Sequence, residues 1–249
     1  PQLTGDFAVE VWVRPILDRK VMALASRINC AIGHFDLKQG KLDAQRLLMD
    51  TSRMRFNDGR CDPAGRFWAG TMWEPRDRAG GIVYRLDADG RFGAQCNPVI
   101  IANGITFAPD GRSMTLADTT NHVLWAFDYD LVTGIPSSRR ELRSYEPASG
   151  RPDGACVDAE GNVYVAIMAG GRVEKISPTG ELLALIELPI PNITCCTFAG
   201  DDLRTLYITT ARTRMTDAEL AAHPYAGGLF VWRLPDGDAP GIIEPRYAG

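Results

Sequence analysis

The sequence predicts an all-β fold of the propeller class, and three observations carry that prediction. Turn motifs recur at a near-constant period, short β-branched or aromatic runs lie between them, and no long amphipathic helical pattern is present. One series is a strand running into a turn that closes on glycine: 34–40 (HFDLKQG), 84–90 (YRLDADG), 127–134 (FDYDLVTG), 176–180 (ISPTG) and 233–237 (RLPDG). Its closing glycines, Gly40, Gly90, Gly134, Gly180 and Gly237, are spaced by 50, 44, 46 and 57 residues.

A second series interleaves with the first: 62–72 (DPAGRFWAGTM), 109–118 (PDGRSMTLAD), 158–167 (DAEGNVYVAI) and the looser 200–211 (GDDLRTLYITTA). Asp, Pro and Asn open such turns and Gly supplies the positive φ that closes them, so each unit reads as a hairpin. Runs such as 163–166 (VYVA) and 206–209 (LYIT) are strand-length and too short for core helices. The best helical candidate, 216–222, is barely two turns. Two turns and several short strands per period describe a four-stranded blade, and radial closure of blades hides most sheet edges. A β-sandwich with look-alike hairpins is the competing reading, and the regular period speaks against it. The expected organisation is a single propeller domain over 1–249.

Composition narrows function. With 45% apolar and 23% charged residues in 249, the chain can bury a sizeable core. Its 27 basic and 31 acidic side chains are scattered without a basic stripe, which argues against a nucleic-acid partner. No apolar run is long enough to span a bilayer and no leader pattern opens the chain, so the expectation is a cytoplasmic protein without a membrane partner. The six cysteines include no C-x-x-C pair and read as buried free thiols of a reducing compartment. The three histidines stand far apart, outside any zinc pattern.

Chemistry-bearing residues recur once per period. Segments 55–59 (RFNDG), 102–104 (ANG) and 151–154 (RPDG) each put a carboxylate or amide before a glycine. Any one of these alone is a plain turn. Recurrence at equivalent positions would gather Asn57, Asn103 and Asp153 around one central channel. An oxygen-rich set without Cys or His suits a hard divalent cation, Ca²⁺, Mg²⁺ or Mn²⁺ by ligand type, with Zn²⁺ a further candidate.

Four longer strings, RFNDGRCDPAGRFWAGTM (55–72), NGITFAPDG (103–111), RPDGACVDAEGNVYVAIMAGGRV (151–173) and LPIPNITCCTFAGDDLRTLYITTAR (188–212), resemble the signature segments of the senescence marker protein, gluconolactonase and regucalcin family. The resemblance implies a six-bladed propeller with a compressed or incomplete first blade, hydrolysing sugar-acid lactones with one divalent metal. It assigns Asn103 and Asp153 to the metal, Asp153 also to general-base catalysis, and Arg55, Asn57 and Glu74 to substrate. The family's N-terminal metal-binding glutamate, in a G-E-x-P segment, has no counterpart before Arg55; Asp6 and Glu10 are the nearest carboxylates. Three functions follow as expectations: lactone hydrolysis on a sugar lactone, the same chemistry on other esters or organophosphates, or a non-catalytic propeller whose metal site has decayed. The 73–81 stretch (WEPRDRAGG) reads as a loop on the rim of the channel.

Overall fold

Every turn of both series but one falls between two antiparallel strands in the computed structural model, which describes residues 14–15, 20–25, 31–36, 41–47 and 53–249; the exception, 233–237, follows the last strand. The first sheet is known by its backbone: β1 (Arg14–Pro15), β2 (Lys20–Ala25), β3 (Ala31–Asp36) and β4 (Lys41–Leu47), paired in that order. The second runs β5 (Met54–Cys61), β6 (Phe67–Trp73), β7 (Gly81–Leu86) and β8 (Phe92–Val99). The third runs β9 (Ala102–Phe107), β10 (Ser113–Asp118), β11 (Val123–Asp130) and β12 (Ile135–Ser144). The fourth comprises β13 (Arg151–Val157), β14 (Val163–Met168), β15 (Arg172–Ile176) and β16 (Leu182–Glu187). The fifth has three strands, β17 (Ile193–Ala199), β18 (Thr205–Thr210) and β19 (Leu229–Arg233). These are propeller blades in meander order, five among the described residues where the resemblance implies six. The first is a four-stranded sheet, and the shortened one is the last.

Burial falls from the hub outward. Strands β6, β9 and β14 are buried at every residue, whereas β12 and β16 are mostly exposed. Strand β5 lies against β9, β9 against β13, and β13 against β17, so the first strand of each blade faces its neighbours at the centre. The cores form between blades. Trp68 and Val83 of one blade pack with Ile105, Phe107, Met114 and Phe127 of the next. Ala117 and Leu124 meet Ala155, Val165 and Ile167, and Tyr164 and Cys156 meet Cys196, Phe198 and Leu206. Each large side chain so buried contributes about 1.5–3 kcal/mol, and because its partners belong to another blade, that energy holds blades together.

Polar turn residues secure the same seams. Asp62, fully buried, accepts the Ala64 and Arg66 amides at 2.9 Å through one oxygen and the Tyr129 hydroxyl of the next blade at 2.5 Å through the other. After β19 the chain turns back to the second blade: Glu244 pairs with the buried Arg60, Tyr247 packs by Phe56 and Phe67, and the Ala248 amide donates to the Gly65 carbonyl at 2.9 Å. The short helix expected near 216 is α1 (Asp217–Ala222). It is closed by a reciprocal cap in which Thr216 Oγ1 accepts the Glu219 amide and Glu219 accepts the Thr216 amide.

Candidate active site

Among the described residues the chain reaches the hub four times through the same local device. Pairing register shifts between Phe56 and Gly59 in β5, between Asn103 and Thr106 in β9, between Pro152 and Ala155 in β13, and between Ile193 and Cys195 in β17. An extra residue in one strand of an antiparallel pair breaks the ladder and re-aims side chains. The Asn-Asp-Gly, Asn-Gly and Asp-Gly sites are therefore bulges inside strands, where the sequence alone equally allowed plain turns. Gly104 shows why glycine is needed: its φ is +53°, and a Cβ there would sit 2.9 Å from the Asp153 carbonyl oxygen of the next blade.

These bulges open onto one cavity of about 390 Å³, the size of a small-ligand site. Arg55, Asn57, Asn103 and Asp153, from three blades, all line it. Glu74 is not among the residues that line it; half-exposed, it places Oε1 3.4 Å from the Nε of Arg55, which does. Asp6 and Glu10 lie outside the described residues.

Hydrogen bonds fix the walls. Asn57 Nδ2 donates to Asn103 Oδ1 at 2.6 Å and to the Ala102 carbonyl at 3.0 Å. Asn103 Nδ2 donates to Thr119 Oγ1 at 2.8 Å, and Thr119 Oγ1 donates to the Pro152 carbonyl at 2.7 Å. Thr119 thus ties the Asn103 amide to the backbone immediately before Asp153 and keeps Oδ1 toward the cavity. Sequence reasoning missed Thr119, whose only signal was its place just after the strand that pairs with Asn103.

Asp58 points into the wall: its carboxylate accepts the Gly59 amide at 2.8 Å and the Ile105 amide at 3.2 Å. Burial, reinforced by the Asp58 carboxylate, pushes the Cys195 thiol well above its ordinary range, so it is protonated at neutral pH and is no thiolate nucleophile. Two histidines are bound to backbone, His122 Nδ1 to the Gly150 carbonyl at 3.1 Å and His223 Nδ1 to the Pro189 carbonyl at 2.9 Å.

The donor set bears on whether a metal fits. Asn103 contributes an amide oxygen with two lone pairs, one engaged by Asn57, and Asp153 a carboxylate, an all-oxygen pair suited by type to a hard divalent cation. Among the described residues no three His, Cys, Asp or Glu side chains converge as a metal cluster. Among them, too, no helix is long and apolar enough to cross a membrane.

Comparison with known proteins agrees with this architecture. Residues 13–212 match the model of the SMP-30/Gluconolactonase/LRE-like region. A 6-deoxy-6-sulfogluconolactonase of Pseudomonas putida is 46% identical over 196 residues, 78% of this chain and 66% of the relative. Regucalcin of Homo sapiens is 38% identical over 206 residues, 80% of this chain and 68% of the relative. The chain thus spans about two thirds of the length of these curated relatives. The crystal structure of a calcium-binding protein, regucalcin, from Agrobacterium tumefaciens superposes with a TM-score of 0.86 at 30% identity, covering 94% of this chain and 78% of that one. From the propeller, its hub of bulged strands and these matches, the chain belongs to the SMP-30/gluconolactonase family of β-propeller proteins.

Proposed function

We propose that this chain hydrolyses sugar-acid lactones, with Asp153 as general base and with Asn103 and Asp153 as ligands of one divalent cation (Ca²⁺, Zn²⁺, Mg²⁺ or Mn²⁺). The observation that carries the reading is the single polar cavity lined jointly by Arg55, Asn57, Asn103 and Asp153. A cation bound there supplies Lewis acidity toward the ester carbonyl. Arg55, braced by its contacts with Asn57 Oδ1 at 3.3 Å and Glu74, donates to sugar hydroxyls and with Asn57 orients the ring. An Asp153 carboxylate oxygen takes a proton from the attacking water as its oxygen bonds to the carbonyl carbon. That proton then goes to the ring oxygen as the ester C–O bond breaks, leaving the open hydroxy acid. Glu74 acts through Arg55.

The test is a pH-indicator assay on a panel of aldonolactones after chelation, with each cation added back. Turnover should require a cation and vanish in Asp153→Asn with the fold intact; wild-type rates in Asp153→Ala would overturn the base assignment. One observation favours a non-catalytic ligand-binding propeller instead: Asn57 already holds Asn103 Oδ1 at 2.6 Å. Metal analysis separates the two, since a chain that neither retains nor responds to any cation is the binder.

A further inference from the structure

The cavity mouth carries more positive charge than a neutral sugar lactone requires. Besides Arg55 it is lined by Arg76, Arg151 and Arg214, against the carboxylates of Asp58 and Asp153 among the described residues. Arg55 has Glu74 as partner, and Asp58 is turned into the wall by backbone amides. Among the described residues, Arg76, Arg151 and Arg214 make no side-chain hydrogen bond or ion pair.

Two of these arginines are held at the mouth by turn geometry that costs them. Arg76 has φ +58° in the turn after β6, where its amide donates to the Trp73 carbonyl at 3.1 Å. Arg214 has φ +60° in the turn after β18, where the Met215 amide donates to the Arg212 carbonyl at 3.2 Å. Left-handed backbone is the province of glycine, so a long cation at both turns is not what loop closure selects. The first turn is itself braced: Trp73 Nε1 donates to Asp77 at 2.6 Å and Arg78 lies over the indole at 4.4 Å. Desolvation, followed by Arg214, Arg151 and Arg55, lowers the Arg76 pKa from its usual value, with Glu74 opposing. Like charges from three blades and a rim turn thus converge, and among the described residues the carboxylates nearest them are Glu74, which pairs with Arg55, and Asp58 and Asp153 in the cavity lining.

We propose that Arg76, Arg151 and Arg214 form an anion subsite at the cavity mouth, selecting lactones that carry a tetrahedral oxyanion, a sulfonate or a phosphate, at the end away from the ring ester. Three planar guanidinium forks match the several acceptor oxygens of such a group far better than a single hydroxyl. The ring ester then lies deeper, beside Asp153 and Asn103, and the anion reaches back toward solvent. This substrate class rests on the lactonase reading, whereas the subsite itself does not.

The experiment therefore has a catalytic and a binding arm on the full chain. Hydrolysis is compared for gluconolactone, its 6-phosphate and its 6-deoxy-6-sulfo analogue. Binding of gluconate, 6-phosphogluconate and 6-deoxy-6-sulfogluconate is measured by calorimetry at low and high salt. The anionic member of each pair should be favoured roughly tenfold or more, less so at high salt. That preference should fall roughly two- to fivefold in Arg76→Gly or Arg214→Gly, which are exposed. In the half-buried Arg151→Gln it should fall roughly tenfold. Glycine suits both turns, so the first two variants keep the fold. Better performance of the sulfonate or of the phosphate identifies which anion the subsite takes. Equal preference for neutral and charged members, unchanged in the variants, overturns the subsite while leaving lactone hydrolysis standing. Arginine-dependent binding of the anionic acids without turnover of any lactone overturns the lactonase reading and leaves the subsite.

Discussion

Replacing Gly104 by alanine tests the idea that backbone contact between neighbouring blades sets the spacing of Asn103 and Asp153. The cost has two parts. Alanine at φ +53° enters the left-handed region, for about 1–2 kcal/mol. Its Cβ would also stand 2.9 Å from the Asp153 carbonyl oxygen and 3.2 Å from Ala117 Cβ. Relieving that overlap in a packed seam costs about 1–3 kcal/mol more. Gly90 is the matched control, with φ +83° and nothing within 4 Å of an added Cβ, so Gly90→Ala carries the backbone cost alone. Urea unfolding should show Gly104→Ala destabilised by about 2–5 kcal/mol and Gly90→Ala by about 1–2 kcal/mol. A shift of a few tenths of an ångström at Asp153 should also lower lactone turnover roughly tenfold in Gly104→Ala, with Gly90→Ala at the wild-type rate. If the two variants lose the same stability, the seam does not resist the added methyl and the argument fails.

Thr119→Val leaves the Asn103 amide without its buried acceptor and should cost about 1–3 kcal/mol in urea unfolding. Turnover should fall with it, and restoration by Thr119→Ser would show that the hydroxyl matters. Glu244→Gln removes the charge paired with buried Arg60 and should destabilise by about 3 kcal/mol, the low end for a broken buried pair because Asp58 still offsets Arg60. Thermal melting of the variant checks this. Burial pushes the Cys96 thiol from 9.0 up to about 12, so between those values the folded chain keeps a proton that the unfolded chain has released. Stability from this group is therefore complete below pH 9 and is lost as pH rises toward 12. The urea midpoint should decline less steeply with pH in Cys96→Ser than in the wild type.

The repeat was legible because turn chemistry is local. Glycine at Gly90, Gly134, Gly180 and Gly237 is required by positive φ within the turn itself, whatever surrounds it. Asn57, Asn103 and Asp153 could be singled out because a carboxylate or amide before glycine recurred at the same place in successive repeats, and a ring of blades brings equivalent places together; Arg55 was marked only by the family resemblance. Thr119, Arg76 and Arg214 carry no such mark. Thr119 matters only through contacts with Asn103 and the Pro152 carbonyl, and the two arginines only because turns after β6 and β18 rise at the same end of the hub.

By itself the sequence determined the blade pattern, the strand-and-turn order and the family, since these depend on hydrogen-bonding habits and side-chain alternation over a few residues. Only the tertiary structure decided that the Asn-Asp-Gly, Asn-Gly and Asp-Gly sites are bulges rather than turns, that Glu74 reaches the cavity through Arg55, and that unpaired guanidiniums from separate turns share one mouth. The reason is range. A turn is settled by the dihedral preferences of adjacent residues, whereas the field in a cavity is the sum over charges brought close by packing between blades.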